Sequence, residues 1–271
     1  MHRFDLAVAY RIYPGIGKPV AVFGNDKLKL TEFAFKSFLN SLGNLKIKLY
    51  VILDSCPKAY KEIIQGNFPQ STIIEMDKAG NFKTFETQID LLLNQNDSEL
   101  IYFAEDDYFY IQNSSELATN FYLTHNPSFL TLYYHPDYLN WEIHNLSKPQ
   151  GITYSNYFWQ FVGSTTLTFL TNRNDLTKAK NVFLTFGKRN FDCSLWLSLT
   201  KRDIFSPKFY LLPLSSKKKK FYFKVIAKMW YFNWFQSIFG QKFFINGSFP
   251  FACNTSRKRF SRPKCQMARA F

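Results

Sequence analysis

An α/β fold, with a doubly wound, mostly parallel sheet flanked by helices, is what this 271-residue sequence predicts. Three observations carry that expectation. Apolar runs of strand length alternate with stretches whose apolar residues recur at helical spacing. One of the runs, residues 100–104 (Leu-Ile-Tyr-Phe-Ala), is apolar throughout, as a strand buried on both faces requires, and it stops at three consecutive acids, Glu105, Asp106 and Asp107. The charge is also divided: residues 1–203 hold 20 Lys/Arg against 20 Asp/Glu, whereas residues 204–271 hold 14 Lys/Arg and no acid. The chain therefore reads as a neutral α/β body over 1–212 and a basic, aromatic-rich appendage over 213–271.

In order, residues 6–13 predict a first strand stopped by Pro14 and Gly15. Residues 28–42 predict a helix burying Leu30, Phe33, Ala34, Phe38 and Leu42, with Gly43 beyond it as a stop. Residues 46–53 are a second strand ending at Asp54, residues 58–65 a short helix, and residues 71–75 a third strand. Residues 82–94 read as a helix with Phe82, Phe85, Ile89 and Leu92 or Leu93 inside, and Asn81 as its cap. After the acids come a helix at 115–125 and a strand at 128–134. A bent or hairpin pair around Gly163 fills 154–169, helices follow at 176–186 and 191–199, and a last short strand at 209–212. No glycine-rich dinucleotide or P-loop pattern follows the first strand, so a nucleotide must be held in another way.

Four cysteines lie far apart without metal-type spacing, and no secretory pattern opens the chain. Both lead to the expectation of a cytoplasmic protein. The basic tail calls for an anionic partner, membrane or nucleic acid. Lys220, Lys224 and Lys228 fall on one helical stripe amid Phe221, Val225, Trp230 and Trp234, which predicts a helix lying on an anionic membrane surface. No apolar run is long enough to span a bilayer, and a neutral body argues against specific nucleic-acid binding. A disordered end, or one read in a shifted frame after the lysine run, are the competing readings of the tail.

Three adjacent carboxylates at a strand end repel one another and resist desolvation, and a divalent cation would relieve both. The strand-end Asp54, the segment Ala79-Gly80-Asn81 leading into a helix, and Tyr-Phe-Ala-Glu105-Asp106-Asp107-Tyr together resemble the GT-A glycosyltransferases, in the branch like glycosyltransferase family 2. The segments Gly163–Phe169 and Asn190–Trp196 are similar to that branch's acceptor-side half. The resemblance implies a GT-A-like fold and inverting transfer of a sugar from a nucleotide-sugar donor to a glycan or lipid-linked acceptor. It implies Mn²⁺ or Mg²⁺ held by Asp107 and Glu105, nucleoside contacts from Asp54 and Asp106, and Asp192 as the base on the acceptor hydroxyl. Members of the family it resembles often carry a late histidine on the metal; here none follows His144. Arg11 is the candidate for a phosphate and His135 a candidate pocket residue. Asn81 joins the donor-site candidates, though helix capping is the favoured reading of it. Rival readings are a non-catalytic binding protein of the same fold docked on a membrane, and a nucleotidyltransferase, which also uses paired carboxylates and a metal.

Overall fold

The computed structural model describes residues 3–15, 23, 26–133, 137–250 and 267–269. His135 and most of the chain after residue 250 lie outside the described residues. The elements run β1 (Leu6–Ile12), α1 (Lys27–Ser41), β2 (Ile47–Asp54), α2 (Lys58–Asn67), β3 (Thr72–Met76), α3 (Gly80–Asn94), β4 (Leu100–Glu105), β5 (Tyr108–Tyr110) and α4 (Ser114–His125). There follow β6 (Phe129–Thr131), α5 (Asp137–Asn140), β7 (Gly151–Tyr154), β8 (Tyr157–Val162), β9 (Phe169–Asn172), α6 (Arg173–Phe183), α7 (Asp192–Thr200), α8 (Pro207–Ser215), α9 (Lys219–Ile238), β10 (Ile245–Pro250) and β11 (Met267–Arg269).

Nine strands form one sheet in the order β3-β2-β1-β4-β9-β6-β10-β8-β7. Its first half, β3-β2-β1-β4, is parallel throughout. Strand β9 then runs antiparallel to both β4 and β6, and β8 antiparallel to β10. Every residue of β1 is buried, as a central strand covered on both faces requires. Successive side chains mark the two layers. Tyr10 meets Phe35 and Phe38 of α1, whereas Arg11 lies over the Phe85 ring of α3. Because alternate strand residues face opposite ways, α1 and α3 cover opposite faces. Gln88, fully buried on α3, donates to the carbonyls of Ala9 (2.7 Å) and Ala104 (3.2 Å), fastening that helix across β1 and β4.

Several expectations need correction. Phe33 points outward, 49% exposed, because the buried stripe of α1 runs through Leu30, Thr31, Ala34, Phe35 and Phe38. The hairpin turns at Ser155-Asn156, both with positive φ (46° and 63°), not at Gly163. Residues 209–212, expected as a strand, lie in α8, opened by Pro207 behind Ser206.

The largest correction concerns the appendage. The division at 212/213 cuts through the fold, because β10 sits between β6 and β8 and α9 buries Tyr222, Val225 and Met229 beside Leu197, Ile204 and Phe209. Disorder is thereby ruled out for 219–250. No described helix is long and apolar enough to cross a membrane.

Candidate functional site

The parallel half of the sheet delivers its carboxyl ends to one cleft of about 920 Å³, where open α/β sheets place their ligands. Arg11, Asp54, Asn81, Glu105, Asp106 and Asp107 all line it, together with Ser55, Lys78 and Thr84. Of the expected site residues that the structure describes, Asp192 alone is not among them.

Register builds the first contact. Arg11 on β1 is paired directly with Glu105 on β4, so both side chains rise on the α3 face. Arg11 Nε donates to Glu105 Oε1 (2.8 Å), and a second guanidinium nitrogen donates to the same oxygen. The third nitrogen donates to Asn81 through its carbonyl (2.9 Å) and side-chain oxygen (2.5 Å). Glu105 Oε2 accepts from Thr168 Oγ1 at 3.1 Å. Both oxygens of Glu105 are thus engaged within the protein, and its expected place in a metal shell does not follow from its setting.

Asp54, 2% exposed, accepts the backbone N–H groups of Ala79 and Gly80, each at 2.8 Å. It therefore holds the N-terminus of α3 against the end of β2, where the helix's positive pole favours a carboxylate. Gly80 turns there with φ +75°, a conformation that side chains resist. Asn81 is not the cap, because α3 begins one residue earlier; its amide oxygen instead anchors Arg11.

Asp106 turns the other way, toward α1. It is buried and accepts from Thr31 Oγ1 (2.7 Å) and from Lys27 Nζ (2.9 Å). Burial, opposed by the Lys27 charge, pushes its carboxyl up to about 6. Burial also works to lower the Lys27 ammonium, but Asp106 and Asp107 outweigh it and its pKa ends above the ordinary value. Lys27 reaches Asp107 Oδ1 at 3.4 Å. The acid triplet is therefore compensated from inside the chain, by Arg11 on one face and Lys27 on the other.

The sequence reading missed Lys27, Thr31 and Thr168. The first two carried a signal: spaced by four, they are polar residues on the stripe that also holds Leu30 and Ala34.

These residues do not make a ready carboxylate cage for a cation, and among the described residues no cluster of three or more His, Cys, Asp or Glu is arranged to hold a metal. What they offer is Asp107, whose side chain is 45% exposed beside the cleft. A single carboxylate is the share a protein often gives to Mg²⁺ when phosphate oxygens and water complete the shell.

Asp192 is the exposed first residue of α7, accepting the N–H of Cys193 at 2.7 Å. Between it and the acids runs a chain of rings: Tyr108 to Tyr133 (5.8 Å), then Tyr133 to Tyr138 (6.0 Å). Burial raises the Tyr138 hydroxyl, with the Asp192 charge among the lesser causes, and that hydroxyl donates to the Ser164 carbonyl (2.9 Å). The half-buried Cys193 thiol is pushed up to about 12, by desolvation first and then by Asp192.

No protein-family model matches the sequence, and no curated protein matches it. Solved structures do. S. aureus TarS (residues 1–349) is similar at 10% identity, covering 83% of this chain and 70% of that one, with a TM-score of 0.44. The glycosyltransferase GlyE of Streptococcus pneumoniae TIGR4 is similar at 13% identity over 82% and 51% (TM-score 0.42). The 4-diphosphocytidyl-2C-methyl-D-erythritol synthase of Anaerococcus prevotii is similar at 11% over 73% and 85% (TM-score 0.42). Likeness at this level assigns no activity.

Proposed function

We propose that this chain is a nucleotide-sugar-dependent glycosyltransferase, which moves a sugar with inversion onto a glycan or lipid-linked acceptor. One observation carries the reading: residues from the ends of β1, β2 and β4 and the start of α3 converge on a single cleft at the carboxyl edge of a parallel sheet. That is where open α/β proteins take phosphorylated ligands, and the cleft has the size of a cofactor or substrate site.

Within this reading the internal pairs divide the work. Arg11, Glu105, Asn81 and Thr168 form a fixed floor that joins β1, β4 and α3. Asp54 fixes the helix N-terminus that closes one wall, and Lys78 on that wall supplies a cation for a diphosphate. Asp107 would hold Mn²⁺ or Mg²⁺ together with the donor's phosphate oxygens. The bound cation would stabilise the charge developing on the departing diphosphate. Asp192 takes the proton of the acceptor hydroxyl as that oxygen bonds to the sugar carbon, while the electron pair of the broken bond leaves with the diphosphate.

The test is a panel of nucleotide sugars with acceptor mixtures, reading nucleoside diphosphate release and the anomeric configuration of the product. Asp192→Asn should keep donor affinity and lose about 100-fold or more of turnover. If no nucleotide sugar binds, while a nucleoside triphosphate is consumed with release of pyrophosphate, the protein is a nucleotidyltransferase instead.

A further inference from the structure

Eleven of the fifteen exposed large apolar side chains among the described residues fall between Phe205 and Phe244. On α9 they share one face. Tyr222, Val225, Met229, Asn233 and Ser237 are buried, and at 100° per residue the opposite side carries Phe223, Tyr231, Trp234 and Ile238, with Phe235 beside them. Tyr231 is 79% exposed and Phe235 62%.

This ridge is rigidly mounted. Tyr222 donates to Glu142 (2.7 Å), Ser194 donates to the Val225 carbonyl (3.0 Å), and Asn233, where the helix kinks, reaches Thr185 (3.4 Å). Neighbouring α8 adds Leu211 and Leu214, both exposed.

The charge beside the ridge selects its partner. Residues 204–250 hold eight lysines, no arginine and no acid. Protein-binding surfaces are depleted in lysine and rich in arginine, whereas helices that lie on membranes combine lysines with Trp, Phe and Leu. Lys220 and Lys224 stand exposed on the outward side of α9. Lys228, expected on the same stripe, does not join them, because it turns back to the Arg189 carbonyl and lies over the Phe191 ring at 3.7 Å. The membrane contact expected of a loose, separable tail therefore falls instead on a built face of the folded body.

We propose that the outward face of α8 and α9 docks on an anionic lipid bilayer, with Tyr231, Trp234 and Phe235 entering the headgroup region and the lysines around 217–224 meeting its negative charge. The inference does not depend on the nucleotide reading, and its test reads no nucleotide.

Full-length protein is sedimented with phosphatidylcholine vesicles, with and without a third of phosphatidylglycerol, at low and high salt. Binding should be about tenfold stronger to the anionic vesicles and should fall only in part at high salt, since aromatic insertion is insensitive to screening. Tyr231→Ser/Trp234→Ser/Phe235→Ser should lose most binding with an unchanged thermal midpoint, because these side chains are exposed. Lys219→Gln/Lys220→Gln/Lys224→Gln should remove the anionic preference. As a second readout, brominated lipid should quench tryptophan fluorescence in the parent and much less in Trp234→Phe. Absence of vesicle binding overturns the proposal. So does binding abolished by salt with equal uptake of nucleic acid, or a concentration-dependent dimer that the serine variant dissociates.

Discussion

Lys27→Met strips Asp106 of its countercharge inside the protein, and the cost can be worked from the geometry. The ammonium lies 2.9 Å from Asp106 Oδ2, with both side chains under one-tenth exposed, so the carboxylate cannot recover by hydration. Removing one partner of such a pair costs about 3–5 kcal/mol. An independent ceiling comes from protonation. The folded carboxyl already sits at about 6, so escaping the burial penalty by taking a proton costs only about 1 kcal/mol at pH 7. The hydroxyl of Thr31, still 2.7 Å away, offsets part of either cost. Protonation is the cheaper route, and the expected loss is therefore about 1 kcal/mol at pH 7 by urea unfolding. Its pH dependence has a definite sign. The parent's folded carboxyl takes its proton at about 6 and the variant's at higher pH still, so the penalty grows as pH rises above 6 and vanishes at about pH 5. Lys27→Met/Asp106→Asn should regain at least half of the loss. A single variant as stable as the parent at pH 7 and above, or a double variant no better than the single, would refute the view that Lys27 compensates the triplet.

Two further outcomes are expected. Burial, helped by the nearby Arg202 charge, pushes the His144 imidazole down to about 4, so the folded state refuses a proton that the unfolded state accepts below 6.5. Stability should fall as pH drops from 6.5 toward 4, by about 2–3 kcal/mol in total, and His144→Phe should flatten that part of the profile in calorimetric scans. A chain ending at Lys242 lacks β10 and should lose cooperative unfolding and solubility, since the gap falls inside the sheet; a soluble, cooperatively folding product would show that β10 is dispensable.

The first half of the fold was legible because its central strands, β1 and β4, are apolar on both faces over most of their length and its helices carry clear periodicity. That Arg11, Asp54 and the acids share one edge followed from element order alone, since parallel strands carry their ends to one side; the pairing of Arg11 with Glu105 did not. The second half hid for identifiable reasons. Strand β10 reads Ile-Asn-Gly-Ser-Phe-Pro, whose Asn-Gly suggests a turn; in the fold, Asn246 is buried and donates to the Trp159 carbonyl at 3.3 Å. A four-residue apolar run at 209–212 fits a strand or a helix equally, and only Pro207 behind Ser206 marks the helix. The acids were legible as a site, but not their internal compensation. Lys27 sits eighty residues away in sequence from Asp107, on the opposite layer from Arg11.

Whether the cleft is a nucleoside-diphosphate site is decided most directly by calorimetric titration with uridine and guanosine diphosphates, with and without Mn²⁺, on the parent and on Asp107→Asn. One diphosphate should bind with affinity raised at least tenfold by Mn²⁺, while Mn²⁺ alone binds weakly because one carboxylate cannot hold it. Asp107→Asn should lose the metal-dependent part and keep its thermal midpoint. No diphosphate binding, or an Asp107→Asn variant with the parent's affinity and metal dependence, would contradict the assignment.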